Sequence, residues 1–254
     1  MEFDQHQSRH VMKKRSIILL STILGFTATL GLVWCWWWLA FPHLPSTYTA
    51  DPLYGTIVDA ETGAPIEGAI VIGLWEMQMQ YGFDSTAMTG HAQVTEVLTD
   101  QDGKYFIAGW GPKKRYGKSY LSDSSPLIVV FKEGYEYLLR GNTMYPSDQK
   151  YNPIRQFDWA GETLKLKKFN GNVKAYYNML KRVNSALGTV TERTLGAGDC
   201  DWKKIPHMML EFDKYYQILK IELPRAFYII PSLDEVTRHR PCGSKEEFLK
   251  EFRQ

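Results

Sequence analysis

The sequence predicts a membrane-anchored protein of mainly β structure followed by a small helical region. Three observations lead there: a long uncharged apolar run near the N-terminus, a central stretch of period-two alternation cut by turn residues, and a change to helical period past Phe169. The 254 residues are 44% apolar and 23% charged, a globular composition that excludes a mostly disordered chain. Thirty basic against twenty-eight acidic side chains leave a net charge of +2. That excludes the strong positive field of a general nucleic-acid binder, and no nucleic-acid partner is expected. Three cysteines exclude a disulfide-scaffold miniprotein and a four-cysteine zinc site.

Between Arg15 and His43 the only ionisable side chain is the thiol of Cys35. Residues 16–41 are 26 in number, more than the ~20 a helix needs to cross a hydrocarbon core, and lipid leaves such a segment no option but helix. Lys13, Lys14 and Arg15 flank it on one side, whereas the first charge on the other is Asp51. The positive-inside rule then leaves residues 1–15 as a cytoplasmic tail and carries the rest of the chain across the membrane. Trp34, Trp36, Trp37 and Trp38 cluster at the outer end, where indoles favour the headgroup region. A cleaved signal peptide is the alternative, but the run exceeds the usual 7–15 apolar residues and lacks a small-x-small site. A lipoprotein signal ending at Cys35 would want a small residue where Trp34 stands. The chain has no Asn-x-Ser/Thr sequon, which favours a bacterial inner membrane with the C-terminal domains in the periplasm.

Residues 42–52, with Pro42, Pro45 and Pro52, read as an extended linker. Residues 53–168 carry seven candidate strands: 53–58, 69–75, 94–99, 105–110, 127–131, 137–140 and 163–167. Turn chemistry separates them at Thr62-Gly63-Ala64-Pro65, Asp100-Gln101-Asp102-Gly103 and Glu133-Gly134. Many short strands punctuated this way make an antiparallel sandwich or barrel. Ile57, Ile70, Ile72, Leu74, Phe106, Ile128 and Val130 fit the inward positions of a two-layer core. Asp100-x-Asp102-Gly103 could pass for half a calcium loop, but the later ligands and terminal glutamate are missing.

Gly55-Thr56-Ile57-Val58-Asp59 followed by Thr62 to Val71, then Thr99 to Phe106, then Lys132-Glu133-Gly134-Tyr135, resemble in order the signatures of the carboxypeptidase regulatory-like domain. The resemblance covers about a third of the chain. It implies a seven-stranded antiparallel transthyretin-like β-sandwich that carries no catalysis itself. Residues 76–93 and 111–125 are longer than a minimal version needs. No histidine has a glutamate three residues later, and there is no His-Glu-x-x-His and no Gly-x-Ser-x-Gly. The chain is therefore expected not to be an enzyme, with no catalytic, cofactor-binding or metal residues assigned.

Residues 169–254 read as an α-helical region. Val173, Tyr176, Tyr177, Leu180, Val183 and Leu187 form one helical stripe, which Asn172 can cap and Gly188 can close. Met208, Met209, Phe212, Tyr215, Tyr216 and Leu219 form a second, with Pro206 in its first turn. Ser244-Lys245-Glu246-Glu247 is a capping-box sequence for a last short helix. Cys200 and Cys242, both beyond the membrane, are expected to form a disulfide that fastens this short helix to the helical core. A cysteine-based metal or redox site is the rival reading.

Two segments stand out. Met77-Gln78-Met79-Gln80-Tyr81-Gly82-Phe83, continuing to Met88 and His91, is uncharged apart from Asp84 and rich in thioethers and aromatics. It reads as an extended hairpin, as a partner-contact loop, or as a copper(I) site. Lys113, Lys114, Arg115 and Lys118 form a basic loop, either simply solvated or matched to an anionic envelope polymer or lipid headgroup. The expected function is that of a non-enzymatic binding or assembly module of the bacterial cell envelope, tethered to the lipid bilayer through residues 16–41. Its partner would be an envelope protein or polymer. The alternative is an envelope metal-handling (copper) or hydrolase-accessory protein.

A periplasm-active reporter fused after Gln254 should be active and one fused before Arg15 inactive. Alkaline carbonate should leave the protein in the membrane, and its release would remove the anchor.

Overall fold

The computed structural model describes residues 27, 29–36, 44–81, 85–143, 151–191, 200–222, 232–238 and 242–253. The chain divides into two compact units, residues 1–43 and residues 44–254. In the first, the described residues 29–36 are helical, with Leu30, Leu32, Val33, Trp34 and Trp36 exposed. Among the described residues no helix is long and apolar enough to cross a membrane. Most of the span expected over residues 16–41 lies outside them.

The second unit opens with strands β1 (Thr47–Ala50), β2 (Leu53–Asp59), β3 (Ile70–Tyr81), β4 (Ser85–Leu98), β5 (Lys104–Ile107) and β6 (Trp110–Lys114). Strands β7 (Tyr120–Leu121), β8 (Leu127–Phe131), β9 (Leu138–Arg140), β10 (Ile154–Arg155) and β11 (Thr163–Leu166) follow. Helices α1 (Val173–Ala186), α2 (Gly188–Thr191), α3 (Pro206–Glu222), α4 (Leu233–Thr237) and α5 (Lys245–Leu249) close the chain, with 3-10 turns at Asp201–Lys204 and Lys250–Phe252. The strands form three sheets, ordered β10-β1-β6, β11-β2-β5 and β4-β3-β8-β9, with β7 also paired to β3. The β-sandwich is mixed rather than purely antiparallel, because β11 runs parallel to β2 and β10 parallel to β1. Part of the expected linker, Thr47–Ala50, is a paired strand. The last of the seven expected strands departs from the others by its parallel pairing.

Turn chemistry sets the β2–β5 pairing. Asp100 Oδ1 accepts from the backbone N–H of Asp102 at 3.0 Å and of Lys104 at 2.8 Å, so this carboxylate holds a turn. Gly103 has φ +72°, and a Cβ there would lie 2.4 Å from the Ile57 carbonyl oxygen, so only glycine fits. At the other end of β2, Asp59 Oδ1 accepts from Glu61 and Thr62, both at 2.9 Å.

The large sheet is buried on both faces. Val71, Trp75 and Met77 of β3 and Ile128 and Val130 of β8 face the sandwich interior with Leu53, Ile57, Tyr105, Ile107 and Leu164. On the opposite face Ile70, Ile72, Leu74, Val94, Val129 and Phe131 pack against the helices, on Leu180, Val183, Met208, Met209 and Phe212. Ile70, Ile72 and Leu74, expected inside the sandwich, are thus buried on its other side. Phe106 is a plain correction: it is 61% exposed, while its neighbours Tyr105 and Ile107 are buried. The tight turn at Gly103 sets β5 one residue away from the facing expected, and a one-residue shift exchanges every side chain between faces.

Charged and covalent ties seat the helical layer. Glu96 of β4, the cross-strand partner of Ile72, has only 2% of its side chain exposed. Its Oε1 accepts from His207 N at 2.8 Å and its Oε2 from Met208 N at 3.0 Å, so a strand carboxylate caps the N-terminus of α3. Pro206 opens that helix, where a missing N–H costs nothing. Asn172 caps α1 through Ala175 N at 3.0 Å, but Gly188 starts α2 rather than ending the helical path. Ser244 caps α5 through Glu247 N, whereas the fully reciprocal capping box lies at Ser232 and Glu235. Cys200 and Cys242 are joined, with Cα atoms 5.6 Å apart, and Trp202 packs edge-on to Phe248 at 5.5 Å.

Ile107→Ala should cost ~2–5 kcal/mol in urea melts and Phe106→Ala less than ~1 kcal/mol. The reverse ranking would mean that β5 presents its other face.

Candidate functional site

The two segments that stand out in the sequence meet at one cavity. Met77, Thr89, His91 and Ala92 come from the β3–β4 hairpin, Lys113 and Lys114 from β6, Tyr48 from β1, and Tyr116 and Ser119 from the loop after β6. The cavity has a volume of about 200 Å³. The hairpin makes its wall by two register shifts. Trp75 pairs with Gln93 but Glu76 with His91, and Met77 pairs with Gly90 but Gln78 with Met88. The residues left over, Ala92 and Thr89, are both cavity-lining. A bulge of this kind bends its strand and re-aims the side chains around it. Gly90, at φ +126°, supplies the backbone angle the second shift needs.

The site is cationic. Lys113 Nζ donates to the Ala92 carbonyl at 2.9 Å and to Gln93 Oε1, and lies 5.3 Å from the centroid of the Trp110 ring. Burial, with Lys204 nearby, pushes the Lys113 ammonium pKa down. Among the described residues, no acidic one lines the cavity. Burial also raises the Tyr48 hydroxyl, which is held against Leu121 and Arg155.

Behind the wall lies a buried polar cluster. The His91 side chain is shut off from solvent, with Nδ1 3.7 Å from Asp201 Oδ2. Lys204 Nζ reaches Asp201 Oδ1 at 2.6 Å. Burial by itself would raise the Asp201 carboxyl, but the His91 and Lys204 side chains beside it outweigh that and hold the group down to about 2. Glu76, across the ladder from His91, is pushed up by burial against the pull of that ring. Because Cys200 precedes the 3-10 turn that carries Asp201 and Lys204, the disulfide and this cluster anchor the same turn.

Of the soft donors, Met77 and His91 both line the cavity. Met77 packs into the sandwich core, whereas the His91 ring reaches Asp201 in the helical layer. Among the described residues no group of three His, Cys, Asp or Glu could hold a metal ion. The methionine-rich stretch is thus an extended hairpin over its described residues, with residues 82–84 outside them. Lys113 and Lys114 of the expected basic loop belong to strand β6, which pairs with β1. Sequence reasoning missed Tyr48, Thr89, Glu76, Asp201 and Lys204. Their signal is spatial, since Asp201 lies 110 residues from His91 in the chain.

The depressed Asp201 pKa has a definite sign in acid. Its stabilisation is fully present above the ordinary value of 3.8 and is lost as pH falls toward about 2. Asp201→Asn should remove on the order of 2 kcal/mol of that pH-dependent stability. Asp59, held to about 2 by the N–H groups of Thr62 and Glu61, remains as a second acid-sensitive group. Urea melts from pH 6 to 2 check this, and identical pH slopes for both proteins would exclude the ion pair.

No protein-family model matches the chain, and no curated protein does. Among solved structures, 3-chlorocatechol 1,2-dioxygenase from Rhodococcus opacus 1CP is 17% identical at a TM-score of 0.27, covering 48% of this chain and 60% of that one. A streptococcal ancillary pilin is 13% identical at 0.24, over 50% and 31%. A shaft pilin from Lactobacillus rhamnosus GG is 11% identical at 0.24, over 50% and 48%. The chain spans less than two thirds of the length of each. Likeness at this level identifies no family and transfers no activity.

Proposed function

We propose that this chain is a non-enzymatic binding module of a bacterial cell envelope, held to the inner membrane by residues 16–41. Its folded part stands on the periplasmic side, and its cavity takes a carboxylate or phosphate group of an envelope polymer or protein. One observation carries the reading: the methionine-rich hairpin and the basic segment, 20 or more residues apart, together wall a cavity that presents Lys113, Lys114 and two tyrosines with, among the described residues, no acidic lining. Cationic and aromatic groups on a fixed strand frame suit recognition of an anion. The Cys200–Cys242 bridge supports the compartment, since disulfides persist outside the cytoplasm. For residues 53–168 we keep the carboxypeptidase regulatory-like assignment. It is supported by the placing of its motifs at turns: the Val58–Pro65 bridge, the Asp100–Gly103 turn, and the Lys132–Tyr135 turn, where Tyr135 N donates to Lys132 O at 3.0 Å.

The test uses the full chain in nanodiscs of neutral phosphatidylcholine, titrated with oligogalacturonate and with inorganic polyphosphate. Binding of at least one should weaken with salt. It should fall at least tenfold in Lys113→Ala/Lys114→Ala and several-fold in Lys114→Glu, which changes only an exposed side chain. Unchanged affinity in Lys114→Glu and in a folded double variant would overturn the site.

A further inference from the structure

We infer that the outer face of the β11-β2-β5 sheet is a saccharide-binding platform, centred on Tyr54 and Phe106. These two are direct cross-strand partners in the β2–β5 ladder, so their rings stand side by side on one face. They are 47% and 61% exposed. The exposed rest of that face is polar, Val58 being covered: Thr56 pairs with Lys104, and Thr163 and Lys165 of β11 point the same way as their exposed positions alternate with buried Leu164 and Leu166. Two aromatic rings thus make an apolar island on an otherwise hydrophilic sheet. Leu98, 41% exposed, extends it at one edge, and Asp100, Thr56 and Lys104 border it in a single open groove of about 770 Å³.

The chemistry selects the ligand. A pyranose ring has an apolar C–H face and a rim of hydroxyls. Its weakly positive C–H groups match the negative face of an aromatic ring, while the hydroxyls need donors and acceptors close by. The groove offers both, with two rings flanked by a carboxylate, a hydroxyl and an ammonium. Its volume falls in the range of small-ligand sites, ~300–1,000 Å³. A stable protein interface, in contrast, covers about 800 Å² on each partner, far more than two rings and a leucine supply. The platform is also preorganised. Tyr54 O accepts from Gly161 N at 2.8 Å, and the Tyr54 ring leans on Gly161 so closely that a Cβ there would meet it at 3.2 Å. Phe106 is fixed by the register that the Gly103 turn imposes. A face held this rigidly loses little entropy when it binds.

This inference uses none of the residues of the cationic cavity, so it stands or falls separately from the function proposed above. The full chain in phosphatidylcholine nanodiscs, free of sugar-headed detergents, is titrated with cellohexaose, chitohexaose and maltohexaose. At least one should bind with a quench of tyrosine fluorescence. Phe106→Ala and Tyr54→Ala should each weaken it at least tenfold, Phe106→Trp should retain it, and Lys113→Ala/Lys114→Ala should leave it unchanged. Thermal melts of Phe106→Ala close to the wild type confirm that folding is intact. Absence of binding by all three, or equal affinity in a folded Phe106→Ala, would overturn the platform. If Phe106→Ala instead abolishes self-association and no sugar binds, the face is a contact between copies and the inference fails.

Discussion

Strand β3 has no solvent face over its first half, and the rest of the fold is arranged around that fact. Ile70 to Trp75 are buried without interruption, with alternate side chains entering the sandwich interior and the helical layer. A sheet with two apolar faces must be covered twice. Six side chains on the helix-facing side are worth on the order of 10 kcal/mol, comparable to the whole net stability of an ordinary domain. The ties between strands and helices therefore set position rather than supply the main attraction. Glu96 gives α3 its starting point, and Glu133 reaches forward to Lys214 at 2.6 Å and Tyr215 at 2.8 Å. The Lys214 and Tyr215 hydrogen bonds keep the Glu133 carboxyl below its usual range.

The double burial had a sequence signal. Ile70-Val71-Ile72-Gly73-Leu74-Trp75 and Leu127-Ile128-Val129-Val130-Phe131 do not alternate at all, unlike Thr163-Leu164-Lys165-Leu166. Strand positions were legible because Gly supplies the positive φ these turns need and Asp side chains bond their backbone N–H groups. Which side of a strand faces inward was less legible at β5, where two adjacent aromatics satisfy either facing. There the decision belongs to the turn and to its partner strand. The short strands β1, β7 and β10 carry too few residues to show a period. The helical stripes read well because each repeats over three or more turns.

The cavity was legible only in pieces. Composition singles out the hairpin and the basic segment, but nothing local says that Lys113 will bond the carbonyl of Ala92, or that two bulges will turn Thr89 and Ala92 toward it. The buried His91–Asp201–Lys204 cluster is more remote still. It forms because a disulfide-anchored 3-10 turn lies against the hairpin, a long-range juxtaposition without periodic trace. Polar residues buried in pairs leave no pattern beyond their own identity.

The two-sided sheet also bears on how portable this architecture is. A β-sandwich with one wet face can be copied between genes as a free-standing unit. Here, cutting the chain after the last strand would strip Ile70, Ile72, Leu74, Val94, Val129 and Phe131 of their cover and leave a flat sticky wall. The sandwich and its helices are therefore one folding unit, and shortening either exposes apolar surface on the other.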